Sequence, residues 1–370
     1  MSHHAKCIEI DIIETTRPVE IVIMNDTVPP TPSFTTPKAS LDLSFAAIDW
    51  QAPWMAHISH LRFLSERVQN LSNRTECSAK NVEAQKIDKA ESDKNSGKSS
   101  TVIADLLNTG MCQQAERTQH QPQTKLLLAK SILNNQAHTL KFVAQDDLPE
   151  GIGYEHFIGT TGNIPTRENL HDLFNGSIWL TFPKTKALLN YHHMLEMAAQ
   201  STNAIDSPKN PRGRVRDTIT VFDENGAILV TCEPDIGTAL IDFNWQNSLV
   251  APRAEWDNPL APRNDAKAAV YIFGHALLEQ LIEPRKTLCA HSVVLNVSPD
   301  FFTQALPERI AQIDTLLAEH MHHLLSQEAV TPRQLAPLPI LGVPHFWADN
   351  VNPEFYSDSR VFRSGRRTSL

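Results

Sequence analysis

The stretch Pro165–Asn190, PTRENLHDLFNGSIWLTFPKTKALLN, limits more than any other how this chain can fold. A proline inside a helix removes a donor and clashes with the preceding turn. Pro183 therefore splits the apolar run into a helix ending after Phe182 and a second over Lys184–Gln200. Asn169 is placed to cap the first helix, with Asp172 three residues on as the reciprocal partner of a capping box. That first helix is unusual in its polar residues. His171, Asp172 and Asn175 occupy its opening turns among apolar Phe174, Ile178 and Trp179. His171 and Asn175, four apart, share a face. A buried polar side chain costs free energy unless it is paired, so another part of the chain must supply partners.

The natural supplier is AAVYIFGHALLEQLI, read as part of a helix over Asp265–Ile282 that Pro284 stops. His275 and Glu279 are again four apart in an apolar run. If the two faces meet, His171, His275 and Glu279 form a two-histidine, one-carboxylate set suited to a divalent metal such as hydrolytic zinc or oxidative iron. Asn175 and Asp172 would position it. Without metal the same groups form a His/Glu acid–base pair. Both versions imply an enzyme, a hydrolase acting on a small molecule. The alternative is a non-enzymatic binding or scaffold protein whose His/Asn/Glu network braces two helices, with Asp172 only capping or complementing a helix N-terminus.

The rest of the chain reads in order. Residues 1–45 form a Pro/Thr-rich arm, and 46–70 a helix with Met55, Ile58, Leu61 and Leu64 on one side. Residues 71–101 mix charges of both signs with almost no large aliphatic residue, the composition of a disordered insert. Residues 102–370 form the main domain. Helices are expected at 102–111 and 124–135 and a strand at 140–143, with a turn near Pro149–Gly153. Ser201–Arg216 reads as a loop carrying Arg212, Arg214 and Arg216. TITVF and AILVTC, around Asn225 and Gly226, predict a β-hairpin with Asp223 and Glu224 in its turn. A helix over 234–250, a strand within 287–297 and a helix over 308–325 follow. Trp347, Phe355, Tyr356 and Phe362 are expected to pin the tail. His192, His193 and Glu196, and His320, His322 and His323, read as surface groups. The fold expected is α+β, predominantly helical, with a small antiparallel hairpin or sheet.

The formal net charge of −9 disfavours a surface devoted to nucleic acid. His156, Gly162 and Asn169 echo an H-N-H nuclease pattern, but Ser177 and Ile178 stand where it needs a further ligand. Five scattered cysteines without a C-x-x-C pair fit a reducing cytoplasm. The N-terminus lacks a signal-peptide pattern, and no segment is long and apolar enough to span a bilayer.

The phrases PTRENLHDLFNGSIWLTFPKTKALLN, RDTITVFDENGAILV, VYIFGHALLEQLIEP, PLPILGVPHFWADN and FYSDSRVFR occur in this order. Together they resemble the bacterial proteins grouped as domain of unknown function 3025. The resemblance covers most of residues 46–370 apart from the 71–101 insert. It implies one recognisable domain, no assigned activity and no required histidine at 156.

Overall fold

The computed structural model describes residues 45, 47–58, 101–118, 138–203 and 213–366. The arm before residue 45, the charge-mixed insert up to residue 100, the helix expected at 124–135 and Arg212 lie outside the described residues. The helices are α1 (Val102–Thr118), α2 (Tyr154–Thr161), α3 (Leu170–Thr181), α4 (Pro183–Asn203), α5 (Arg214–Asn225), α6 (Pro234–Ile241), α7 (His275–Gln280) and α8 (Leu306–Leu325). The strands are β1 (Lys141–Ala144), β2 (Asn163–Thr166), β3 (Gly226–Thr231), β4 (Ala268–Ile272), β5 (Cys289–Asn296) and β6 (Ala336–Pro339). The class is α+β and mostly helical. None of the described helices is long and apolar enough to cross a membrane.

Pro183 acts as its chemistry requires: α3 ends at Thr181 with Phe182 as its C-cap, and Pro183 begins α4. Asn169 caps α3 by accepting from the Asp172 amide at 2.8 Å. Asp314 of α8 holds the start of α4, accepting the Lys184 and Thr185 amides at 2.9 Å each.

The expected hairpin is absent. Residues 214–225 are helix α5, and the sheet is mixed, in the order β4-β3-β5-β6. β3 pairs antiparallel with β4 (Leu229 opposite Val270) and parallel with β5 (Leu229 opposite Val294), while β5 and β6 are antiparallel. Thr218 and Thr220 donate their hydroxyls to the carbonyls four residues back, at 2.8 and 2.9 Å, which settles a β-branched run into a helix. Ile219 and Phe222 lie buried on one face. Gly226, the supposed turn residue, has φ −75° and ψ 145° and simply starts β3. All six β3 residues are buried, as befits a central strand with a parallel neighbour.

Three further expectations are corrected. The apolar run 265–282 is strand β4 followed by the short helix α7, because AAVYI pairs with β3 before Gly274 starts the helix. The helix expected over 234–250 stops at Ile241; Phe243 at φ 60° turns the chain before a separate helical turn at Gln246–Val250. Arg214 and Arg216 belong to the first turn of α5, not to a loop. Pro53–Met55 forms a single helical turn, with Trp54, Met55 and Ile58 buried; no longer helix forms within residues 47–58, and 59–70 of the helix expected there lie outside the described residues. The tail is pinned by aromatic rings: Tyr356 and Phe362 pack tilted with centroids 4.9 Å apart, Phe355 and Phe362 edge to face at 5.7 Å, and the Tyr356 hydroxyl donates to Gly342 O at 2.7 Å. Trp347 is half-buried against the same core.

Candidate functional site

Helix α7 packs against both α3 and α5, so residues far apart in sequence meet at one point. His171 Nε2 lies 3.0 Å from His275 Nε2, the rings edge to face with centroids 4.5 Å apart. His171 Nδ1 lies 3.1 Å from Glu279 Oε2. A carboxylate accepts, so the proton sits on Nδ1 and the Nε2 lone pair faces His275. Glu224, at the end of α5, places Oε2 3.6 Å from His275 Nε2. Ligand atoms of His171, Glu224 and His275 all lie within 4.8 Å of one another.

A tetrahedral ion with bonds of ~2.0–2.1 Å holds its ligands roughly 3.3–3.4 Å apart. The 3.0 and 3.6 Å separations bracket that spacing, so a small rotation of the rings or of Glu224 accommodates a cation. The site is buried on one side and open on the other: the His275 side chain is 4% exposed, those of His171, Glu224 and Glu279 31%, 36% and 41%.

Burial pushes the His275 imidazole down to about 4 despite the opposing pull of Asp223, so at neutral pH it is uncharged and keeps a lone pair. Its Nδ1 is buried without a hydrogen-bond partner among the described residues, 3.9 Å from Asp223 Oδ2. Burial raises the Glu224 carboxyl, with His171 pulling the other way. For Asp223, burial alone would raise the carboxyl, but Lys186 and His275 together hold it below its usual range. Lys186 Nζ donates to Asp223 at 2.6 Å and to Asn175 Oδ1 at 2.9 Å, and Asn175 Nδ2 donates to the Tyr154 hydroxyl at 3.0 Å. A hydrogen-bonded chain thus runs from Tyr154 through Asn175 and Lys186 to Asp223, beside His275. Burial pushes the Tyr154 phenol well above its ordinary value.

Of the residues nominated from sequence, His171, His275 and Glu279 come together, and Asn175 joins through Lys186. Glu279 approaches the outer nitrogen of His171, so the third member of the group, beside the two histidines, is Glu224. Asp172 turns away: it accepts from the Arg167 amide at 2.6 Å and from Arg167 Nε and Nη2 at 3.1 and 2.8 Å. The capping box is therefore half formed, since the Asn169 amide bonds to Arg167 O. Lys186, Asp223, Glu224 and Tyr154 were not nominated. Asp223 and Glu224 were assigned to a hairpin turn, although the helical spacing of Val215, Ile219 and Phe222 would have placed them one turn on. His192 and His193 are buried, contrary to the surface reading, because α4 is covered by α2, α5 and α8. Gly162 ends α2 at φ 75° and Asn169 caps α3, so two members of the H-N-H echo have structural jobs.

A family model described as "Protein of unknown function (DUF3025)" matches residues 140–366, a span that holds every residue of this cluster. No curated protein and no solved structure matches the chain significantly.

Proposed function

The chain belongs to the family described as protein of unknown function (DUF3025), a description that names no activity, and from the site we propose a metal-dependent hydrolase of a small-molecule substrate. One observation carries this reading: His275 Nε2 lies 3.0 Å from His171 Nε2 and 3.6 Å from Glu224 Oε2, with Glu279 bonded to the far nitrogen of His171. Carboxylate partners on the far nitrogen fix tautomer and ring orientation in histidine metal sites. Two neutral imidazoles and one carboxylate leave a divalent cation with net positive charge, which favours bound hydroxide. Three protein ligands leave a position open for water, whose pKa falls towards ~7 on zinc. Held by His171, His275 and Glu224, such a cation would supply a bound hydroxide as nucleophile and would polarise the scissile group. Lys186 and Asp223 hold the wall behind His275. The free cysteines Cys232 and Cys289 fit the reducing bacterial cytoplasm we assign it.

Metal analysis of the purified protein, repeated on His275→Ala and Glu224→Gln, tests the reading. It predicts near-stoichiometric metal in the wild type and its loss in both variants. The competing reading, a non-enzymatic brace, is favoured by the direct His171–His275 contact at 3.0 Å, which needs no cation. It predicts no metal and a fall in thermal stability for His275→Ala. Hydrolysis that survives a chelator would instead favour the metal-free acid–base pair of His171 and Glu279.

A further inference from the structure

A second site shares no residue with the first. Cys289 and His291 lie on one face of β5, opposite Pro339 and Pro337 of edge strand β6. The C-terminal segment and Phe243 border a cleft of about 310 Å³ whose lining includes Cys289, Arg333, Arg360, Arg363 and Arg366. Four guanidinium-bearing residues line it and no carboxylate does, among the described residues, in a chain of formal net charge −9. Crowding like charges in a concavity is unfavourable unless an anion enters.

Two of these side chains are anchored on the backbone. Arg363 Nε donates to Arg360 O at 3.2 Å, and Arg366 Nη2 to Leu335 O at 2.9 Å, with its guanidinium 5.7 Å from the Phe243 ring centre. Asp358, which pairs with Arg360, stays outside the lining. A guanidinium carries five N–H donors, so the anchoring contacts leave most of those on Arg363 and Arg366 available. The backbone is fixed on both sides: Trp245 Nε1 donates to Arg363 O at 2.6 Å, and Phe243 holds φ 60°, a costly conformation for a bulky residue. His291 Nδ1, on the same strand face as Cys289, is buried without a partner among the described residues.

We propose that this cleft binds the phosphoryl group of a small phosphorylated molecule. The planar fork of arginine matches phosphate oxygens two at a time, and several forks around one cleft suit a dianion better than a single carboxylate. The volume is that of a small-molecule pocket, and Phe243 and Trp245 provide an apolar wall for the rest of the ligand.

Calorimetric titration with inorganic pyrophosphate, in EDTA so that no metal at His171 and His275 takes part, tests this. Saturable one-to-one binding is expected, weakened at least about tenfold in Arg333→Ala/Arg363→Ala. The milder Arg363→Lys keeps the charge but loses the fork, and should weaken binding several-fold with an unchanged melting temperature. Absence of binding, or binding that both variants leave intact, overturns the proposal. So does a single-stranded oligonucleotide that binds through these arginines while pyrophosphate does not, an outcome that would make the cleft a nucleic-acid surface.

Discussion

Glu279 and Glu224 are chemically alike and stand in unlike places. Glu279 touches only the outer nitrogen of His171, so Glu279→Gln should keep stoichiometric metal while weakening affinity about 10–100-fold, the usual cost of losing such a partner. Glu224→Gln removes a ligand and should abolish stoichiometric binding, and a competition titration against a chelating dye separates the two. Equal loss in both would return Glu279 to the ligand set. Lys186 invites a different test. Its side chain is 6% exposed and supports both Asp223 and Asn175, so Lys186→Met leaves a carboxylate without its cation and should cost about 3 kcal/mol in denaturant unfolding. His171, His275 and Glu279 were legible because a four-residue spacing on an apolar helix is written in the sequence itself. Lys186 was not, since what makes it matter is a partner 37 residues away whose approach only the packing of α4 on α5 creates.

At the scale of elements, the error that hid Asp223 and Glu224 has a physical source. TITVF is rich in β-branched residues, and a short run of that kind carries both periods at once. The helix prevails because Ile219 and Phe222 bury against the core and the threonine hydroxyls find carbonyls in their own turn. The same ambiguity turned β4 and α7 into one helix, yet His275 and Glu279 kept their relation because both fall in the part that is helical. The break between α3 and α4 was read well because Pro183 dictates it, and the Asn169 cap marks the start of α3. The joint that assembles the site is Gly274. A Cβ there would lie 2.5 Å from Glu224 O and 2.5 Å from Gly226 N, both backbone atoms that cannot yield. Gly274→Ala should therefore push α7 from the end of α5, destabilise the fold by roughly 1–3 kcal/mol and weaken metal binding in the same protein. A variant with full metal affinity would show that α7 and α5 need not touch for the site to form.

Across the whole molecule, α4 is the beam on which the site and the helical layer both rest, and two of its contacts with α8 titrate in opposite senses. His192 Nε2 lies 3.1 Å from His322 Nδ1, and burial, helped by His322 and His193, pushes His192 down from 6.5 to about 4. The unfolded chain then binds the extra proton between those values, so this residue contributes stability that is present above pH 6.5 and lost as pH falls towards 4. Asp314 behaves in the reverse way. Burial raises it to about 6, although the Lys184 and Thr185 amides pull it down, so its contribution is present below 3.8 and lost as pH rises through 6. The two slopes oppose each other over nearly the same window, and the wild-type profile conceals both. In chelator-treated protein, His192→Gln should reduce the loss of unfolding free energy on acidification by up to ~3 kcal/mol, and Asp314→Asn should increase it by a similar amount. Denaturant titrations at pH steps through that window measure the slope independently of any constant loss from the missing cap or contact. Parallel profiles for wild type and both variants would mean that neither group titrates differently in the folded chain.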